Sequence, residues 1–284
     1  MTQAKIFLTG ATGNVGSALV KELTALNIPF KALVRDPGNA GGLQGQVITG
    51  DMADKAFLVA QLKGIEKAFL LTNSSEEAEY LQLNFVEAAY EAGVKHIVKL
   101  SQLKADEHSP VRFLRYHAKV ENRIKGLGLA YTFLRPNLYM QGLLAFREYI
   151  KNEGVFYASA GSAPVSIVDV RDIAAVAAKA LTGKGHENRI YDITGDAALT
   201  HYEMAEIFTR VLGKPVKFVD VDPGQMEAAV RAAGFPEWQV GGLIEDYAHY
   251  ARGEAAEVSE VVRTIAQRPA ISFEQFVMTY KGLF

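Results

Sequence analysis

Short apolar runs alternate with longer amphipathic stretches through the first half of the chain. Runs rich in β-branched and aromatic residues predict strands, and the intervening stretches, with apolar residues three and four apart, predict helices. The predicted strands cover residues 6–9, 30–34, 46–49, 68–72, 96–101 and 130–135, and the predicted helices cover residues 15–26, 55–62, 76–92 and 111–125. This alternation is typical of βαβ units, so we predict an α/β fold with a parallel sheet and helices on both faces.

The second half of the chain is less regular and predicts a smaller α/β domain. Apolar runs predict strands at residues 165–168, 189–193 and 216–219, and a helix at 170–181. A Thr, Asp or Ser followed three residues later by Glu or Gln predicts helix starts at Thr200, Asp222 and Ser272. We therefore predict one domain over residues 1–136, which also receives segments around 164–195, and a smaller, interwoven domain over residues 137–284.

Composition narrows the function classes. The 284 residues carry 30 Lys and Arg against 32 Asp and Glu, a formal charge of -2, so we expect no direct nucleic-acid binding. The absence of cysteine removes disulfides, thiolate metal sites and a cysteine nucleophile, and the six histidines are scattered, so no metal site is predicted. The first residues lack a signal-peptide pattern and no apolar run approaches about 18 residues, so we expect a cytoplasmic protein that does not enter a membrane.

A glycine-rich segment carries the strongest local signal. Gly10-Ala11-Thr12-Gly13-Asn14-Val15-Gly16 follows the first predicted strand directly and opens the first predicted helix. The first glycine allows a tight turn, the second lets backbone approach a pyrophosphate, and the third allows close helix–strand packing. An ordinary glycine-rich turn is the alternative, but the strand and helix context favours a dinucleotide-binding Rossmann domain. The predicted cofactor contacts in this segment are Gly10, Thr12, Gly13, Asn14, Val15 and Gly16.

The end of the second strand indicates which dinucleotide binds. An NAD site usually has Asp or Glu there to hold the adenosine ribose, whereas this strand ends in Arg35. A guanidinium suits a 2′-phosphate, so we predict NADP(H) in preference to NAD(H). Asp36 follows within a turn sequence and is interpreted as stabilising that turn. Asp51, after the third strand, either accepts a hydrogen bond from the adenine amino group or caps the next helix.

Other candidate contacts follow from topology, because ligands bind outside the carboxyl ends of parallel strands. Segments after the fourth, fifth and sixth strands are therefore expected near the cofactor. The alternative for the segment after the fourth strand is that it forms a capped loop before a helix. The alternative for the two tyrosines proposed as substrate contacts is that they pack in the core. The predicted cofactor contacts are Thr72, Asn73, Ser74, Ser101, Pro136 and Asn137, and the predicted substrate contacts are Tyr116 and Tyr139.

At this point the sequence resembles the NmrA-like group of atypical short-chain dehydrogenases/reductases. The resemblance rests on the glycine segment, on Ala32-Leu33-Val34-Arg35, on Gly93-Val94-Lys95-His96-Ile97 and on Tyr131-Thr132-Phe133-Leu134-Arg135-Pro136-Asn137, in that order. It implies a Rossmann fold with a smaller substrate domain and NADP(H) as cofactor. The group includes bacterial reductases of quinones and triphenylmethane dyes, and also regulators that bind dinucleotides without a demonstrated reaction.

The catalytic pair of typical short-chain dehydrogenases is missing. None of the 12 tyrosines has a lysine four residues later, and Tyr116 and Lys119 are three apart. The resemblance places His117 and Glu121 where the Tyr–Lys pair would stand. His117 is either a catalytic residue beside the nicotinamide or a structural residue paired with Glu121 on a partly solvated helix face.

Loss of the Tyr–Lys acid pair disfavours alcohol dehydrogenation and allows other acceptors. Reduction of a quinone makes a phenolate-like anion of pKa about 10, and hydride transfer to a cationic dye needs no proton. We therefore predict an NADPH-dependent oxidoreductase of quinone-like, conjugated or cationic dye acceptors, acting on a small aromatic substrate, with a homodimer left open. The alternative is a non-catalytic NADP(H) sensor of the NmrA type. A phenolic-ether or isoflavone reductase ranks third, because that branch needs a catalytic lysine and only Lys119 is near.

Overall fold

The computed structural model describes residues 4–43 and 45–284. Its strands are β1 (Ile6–Leu8), β2 (Phe30–Val34), β3 (Gln46–Thr49), β4 (Lys67–Leu70), β5 (His96–Leu100), β6 (Ala130–Pro136), β7 (Val155–Ala158), β8 (Arg189–Ile193) and β9 (Lys217–Asp220). Its helices are α1 (Asn14–Ala25), α2 (Lys55–Leu62), α3 (Ala78–Glu91), α4 (Arg112–Gly126), α5 (Arg147–Asn152), α6 (Val170–Thr182), α7 (His201–Leu212), α8 (Pro223–Ala232), α9 (Glu237–Ala251), α10 (Val261–Ile265) and α11 (Phe273–Tyr280).

A seven-stranded sheet confirms the predicted fold class. Its strand order is β3-β2-β1-β4-β5-β6-β8, and the pairs from β3 through to β6 are parallel. The chain moves outward from β1 to β3 and then crosses back to β4 on the other side of β1. This reversal between β1 and β4 is the switch point at which doubly wound sheets bind ligands.

The chain divides into two compact units. The first comprises the described residues up to Ser109 together with Leu114–Arg135 and Ile173–Tyr191. The second comprises Pro110–Phe113, Pro136–Asp172 and Asp192–Phe284. The second unit contains a two-stranded parallel sheet of β7 and β9 and its own aromatic core, in which Phe156, Phe208 and Phe276 are fully buried.

The predicted helix starts at Thr200, Asp222 and Ser272 are confirmed. In each case the side chain of the capping residue accepts a hydrogen bond from the backbone three residues on, and the Glu or Gln there bonds back to the cap. These reciprocal bonds satisfy two backbone N–H groups that have no partner inside the helix. The local sequence therefore determines where α7, α8 and α11 begin.

The predicted strand at residues 165–168 is wrong. This segment forms only isolated bridges, one between Val165 and Leu199 and one between Tyr139 and Val168. Val165, Ile167 and Val168 are all buried, so the apolar run reflects burial from every side and not a strand face. The prediction also missed β7, α5, α9 and α10.

Each unit holds a histidine buried in its neutral form. His96 in the first unit is 2% exposed, and its Nε2 lies 2.8 Å from the Thr132 hydroxyl. Burial, reinforced by the charge of Lys67, lowers the pKa of His96 to about 4. His201 in the second unit is also 2% exposed and packs against Phe218, and burial lowers its pKa to about 4 as well.

These histidines predict acid-sensitive stability. An unfolded histidine takes up a proton near pH 6.5, whereas His96 and His201 resist protonation until about pH 4 in the folded chain. These two histidines therefore cost no stability above pH 6.5, and their cost grows as the pH drops from 6.5 towards 4. At pH 5 the free energy of unfolding should be lower by roughly 2 kcal/mol per histidine than at pH 8, measured by urea denaturation. A His108→Asn control, at an exposed site, should keep the same pH dependence; equal stability at both pH values would contradict the assignment.

Candidate functional site

The turn between β1 and α1 is built by close backbone contacts. Gly10 has a positive φ of 64°, which favours glycine, and a Cβ there would lie 2.7 Å from Leu71 Cγ. A Cβ on Gly16 would lie 2.0 Å from the Gly10 carbonyl oxygen. Both positions therefore exclude a side chain, because α1 begins directly against the turn that ends β1.

Thr9 fixes this turn to the end of β4. Its hydroxyl donates to the Leu71 carbonyl oxygen and accepts from the Leu71 N–H, both at 2.8 Å. Thr9 is fully buried, so these bonds are shielded from water. The carboxyl ends of β1 and β4 are held together at the switch point.

The N-terminus of α1 is available to an anion. Gly13 is the N-cap and has no side chain to bond the first helical N–H groups, which have no partner within the helix. Thr12 and Asn14 are exposed, whereas Val15 is buried and contributes its backbone alone. A Cβ on Gly13 would meet only the Gly10 oxygen at 3.5 Å, so the space outside the turn is open. Backbone N–H groups and the helix dipole favour a phosphate here.

The ends of β2 and β3 carry one exposed guanidinium and two carboxylates bound in turns. Arg35 is exposed directly after β2, and Asp36 accepts a hydrogen bond from the Gly38 N–H at 2.8 Å, in agreement with its interpretation as a turn residue. Asp51 accepts from the Ala53 N–H at 2.9 Å. The alternative that Asp51 caps the next helix is wrong, because Asp54 caps α2 through the Phe57 N–H.

These features fit a bound NADP(H). The uncapped helix and the glycine turn match a pyrophosphate, and the positive charge of Arg35 stands where a 2′-phosphate would lie in a Rossmann domain. β2 does not end in a carboxylate, the group that usually accepts hydrogen bonds from an unphosphorylated ribose. Arg35, whose guanidinium donates hydrogen bonds, stands there instead.

Polar residues follow β4 as predicted. The Thr72 hydroxyl accepts from the Gln82 amide at 2.8 Å, and the Ser74 hydroxyl lies 3.2 Å from that of Tyr116. Asn73 is exposed. The alternative, a capped loop before the helix, is wrong, because the N-cap of α3 is Glu77 and no side chain caps this helix.

A buried polar pair lies between β5 and α4. Lys99 is 0% exposed, and its Nζ lies 2.7 Å from Nδ1 of His117, which is 8% exposed. Burial lowers the pKa of Lys99 to about 7, partly offset by Glu121 and assisted by Arg135. Burial, then Lys99 and Arg135, lower the pKa of His117 well below its usual value.

The structural alternative for His117, a pairing with Glu121 on a partly solvated helix face, is wrong, because His117 is buried and bonds Lys99 instead. Glu121 is 1% exposed and receives two hydrogen bonds from the Arg135 guanidinium, at 3.0 and 2.5 Å. The Ser101 hydroxyl also donates to Glu121, at 2.5 Å. Ser101 therefore lies at the predicted strand end, but its hydroxyl proton is engaged by Glu121.

Sequence reasoning missed Lys99 as a site residue. The available signal was a lysine that directly follows Ile97 and Val98 and precedes Leu100 in β5, because lysine is almost never fully buried without a specific partner. Arg135 gave the same signal in β6.

The residues predicted after β6 belong to the second unit. Pro136 is buried, and the Asn137 amide donates to the Ser166 hydroxyl and to the Ala255 carbonyl oxygen, both at 2.8 Å. Asn137 thus joins segments that are distant in sequence. Tyr139 is half-buried and bridges to Val168.

Among residues 4–43 and 45–284, no group of three or more His, Cys, Asp or Glu side chains is placed to hold a metal ion. None of the helices there combines the length and apolar character that a bilayer crossing requires.

Known proteins with similar sequences and structures include several reductases. The NAD(P)H azoreductase of Xenophilus azovorans is 36% identical over 282 residues, which cover 98% of this chain and 99% of that protein. The NADPH-dependent quinone oxidoreductase of Escherichia coli, complexed with NADPH, matches with a TM-score of 0.88 and 28% identity, covering 96% of this chain and 99% of that one. The triphenylmethane reductase of Citrobacter sp., complexed with NADP(H), matches with a TM-score of 0.86 and 27% identity, covering 96% and 99% of the two chains.

The family assignment agrees with the resemblance seen in the ordered motifs. The NmrA-like family matches residues 2–270. The chain belongs to the NmrA-like family.

Proposed function

We propose that this chain is an NADPH-dependent oxidoreductase that reduces quinone-like, conjugated or cationic dye acceptors by direct hydride transfer. The observation that carries the proposal is the glycine turn held against an uncapped helix N-terminus, with exposed Arg35 after the neighbouring strand. The azo, quinone and triphenylmethane reductases that the chain resembles support the same class of acceptor.

The chain supplies binding and orientation, and bound NADPH supplies the hydride. The first N–H groups of α1 bind the pyrophosphate, and the Arg35 guanidinium binds the 2′-phosphate through paired, charge-assisted hydrogen bonds. Asp51 offers its second carboxylate oxygen to the adenine amino group, since Ala53 occupies the first. Further contacts are proposed for Thr12, Asn14, Thr72, Asn73, Ser74, Ser101, Pro136 and Asn137.

The class of acceptor depends on which side chains can donate a proton to the reduced product. Lys119 is exposed and pairs with Glu79 at 3.1 Å, which speaks against the catalytic lysine of a phenolic-ether reductase. A quinone yields an anion of moderate basicity, with a pKa of about 10, and a cationic dye yields a neutral product. An acid that is protonated near neutral pH therefore suffices for the quinone, and the dye needs no proton. Tyr116 and Tyr139 are proposed to contact the acceptor.

An NADPH oxidation assay tests the proposal. Loss of NADPH absorbance is followed with a benzoquinone, an azo dye and a triphenylmethane dye as separate acceptors. We expect turnover with at least one of them and much slower turnover with a simple ketone. Tight NADPH binding without turnover of any acceptor would instead support the non-catalytic sensor.

Gly13→Ala separates cofactor binding from folding. The added methyl makes only an ordinary contact inside the protein but stands where the pyrophosphate approaches the backbone, so the fold should persist while the NADPH Kd rises about tenfold or more. Isothermal titration measures the Kd. Gly142→Ala, at a site with nothing within 4 Å, is the matched control and should bind like the unmodified chain. Unchanged affinity in Gly13→Ala would remove the turn from the cofactor site.

Arg35→Gln tests the choice of dinucleotide. A hydrogen bond to a charged group contributes roughly 1.5–3 kcal/mol, so the NADPH Kd should rise by about 10- to 100-fold, while the NADH Kd changes little. Arg263→Gln, which removes another exposed guanidinium, serves as control. Equal losses for both dinucleotides would contradict the role of Arg35 as the phosphate ligand.

A further inference from the structure

Lys99 is a fully buried cation without a bonded carboxylate. Its ammonium donates to the Leu100 carbonyl oxygen at 3.0 Å and to His117 Nδ1 at 2.7 Å. Within the described part of the chain, no carboxylate oxygen lies within ion-pair distance of Lys99. Burying a charge without a bonded carboxylate costs folding free energy, so lysine is a poor choice for a purely structural role at this position.

The contact between Lys99 and His117 determines the histidine tautomer. An ammonium has donors and no acceptor, so Nδ1 of His117 must accept the hydrogen bond. Neutral His117 therefore carries its proton on Nε2. Because Nδ1 is occupied by Lys99, Nε2 is the nitrogen left for another partner at the 8% of the residue that stays exposed.

The neighbouring charges are fixed by other contacts. Glu121, on α4, is held by Arg135, on β6, and by Ser101, after β5. Burial and the charge of Arg135 lower the pKa of Lys99, Glu121 only partly offsets them, and the resulting pKa is about 7. The ammonium can therefore lose its proton near neutral pH.

We propose that Lys99 is a positioning residue that fixes His117 as a proton donor and replaces the proton that His117 gives to the reduced acceptor. This inference rests on the proposed function and deepens it, because it assigns a proton path to acceptors that need one. His117 is then the catalytic residue and Lys99 acts through it.

Hydride transfer reduces a quinone by two electrons and leaves a hydroquinone anion. The His117 Nε2–H bond breaks as the oxygen–hydrogen bond of the product forms. Nδ1 takes a proton from the Lys99 ammonium at the same time, so His117 stays neutral and Lys99 becomes an amine. After the product has left, water protonates Nε2 of His117 and the Nδ1 proton returns to Lys99, which restores the ammonium and the starting tautomer.

A pair of acceptors separates this proton relay, which runs from Lys99 through His117 to the product, from the proposed function itself. A quinone or azo acceptor takes up a proton as well as a hydride, whereas a cationic triphenylmethane dye takes up a hydride alone. Lys99→Met removes the proton and keeps an unbranched apolar side chain. General acid catalysis contributes about 100-fold or more, so kcat for the quinone should fall by about that factor while kcat for the dye changes less than about twofold.

Lys95→Met is the matched control, since Lys95 is exposed just before the same strand, and it should leave both acceptors unchanged. Equal loss for quinone and dye, or no loss for either, would overturn the relay. Absence of turnover in the unmodified chain would instead overturn the proposed function.

Two measurements on the unmodified chain keep the relay testable if Lys99→Met does not fold. In the cofactor-free protein, ¹⁵N NMR of His117 should show Nε2 protonated and Nδ1 unprotonated, and the opposite tautomer would overturn the relay. For the quinone, kcat should fall as the pH rises through about 7, because the Lys99 amine has no proton to give, while the dye reaction shows no such step. The same step with both acceptors would also overturn it.

Discussion

The close approach of α1 to the turn after β1 is the constraint on which the cofactor site depends. The helix can begin there only because Gly10 and Gly16 have no Cβ, and the turn keeps its place because Thr9 bonds both backbone groups of Leu71. A helix that starts at this point directs its unpaired N–H groups outward from the switch point of the sheet. Under the proposed function, the phosphate contacts come from backbone N–H groups, and Arg35 adds the selectivity for a 2′-phosphate.

A second set of interactions organises the interior beside β5. Glu121, Arg135 and Ser101 satisfy one another, so the carboxylate is neutralised without using Lys99. Lys99 is left to bond His117 in a buried place, and in the proposed relay the two side chains pass one proton between them. A proton donor near neutral pH requires neighbouring charged groups that are held by their own hydrogen bonds, as Glu121 and Arg135 are, around a group that can lose its proton, as Lys99 can.

The sequence predicted the parallel sheet and most helix starts because local signals determine them. Strands such as β2 are apolar runs between clear breaks, and Thr200 carries its capping box within four residues. Predictions failed where burial comes from distant segments. Residues 165–168 are apolar without being a strand, and the alternative that pairs His117 with Glu121 assumed a solvated helix face. Lys99 could not be assigned a partner, because His117 reaches it only once α4 packs on β5.

The central claim, direct hydride transfer from a bound nicotinamide, is tested most directly by isotope transfer. The chain would reduce a cationic triphenylmethane dye with NADPH that carries deuterium at both nicotinamide C4 positions, in ordinary water, and the product would be analysed by mass spectrometry and NMR. The account predicts one deuterium on the central carbon of the dye. A product without deuterium at that carbon would contradict it.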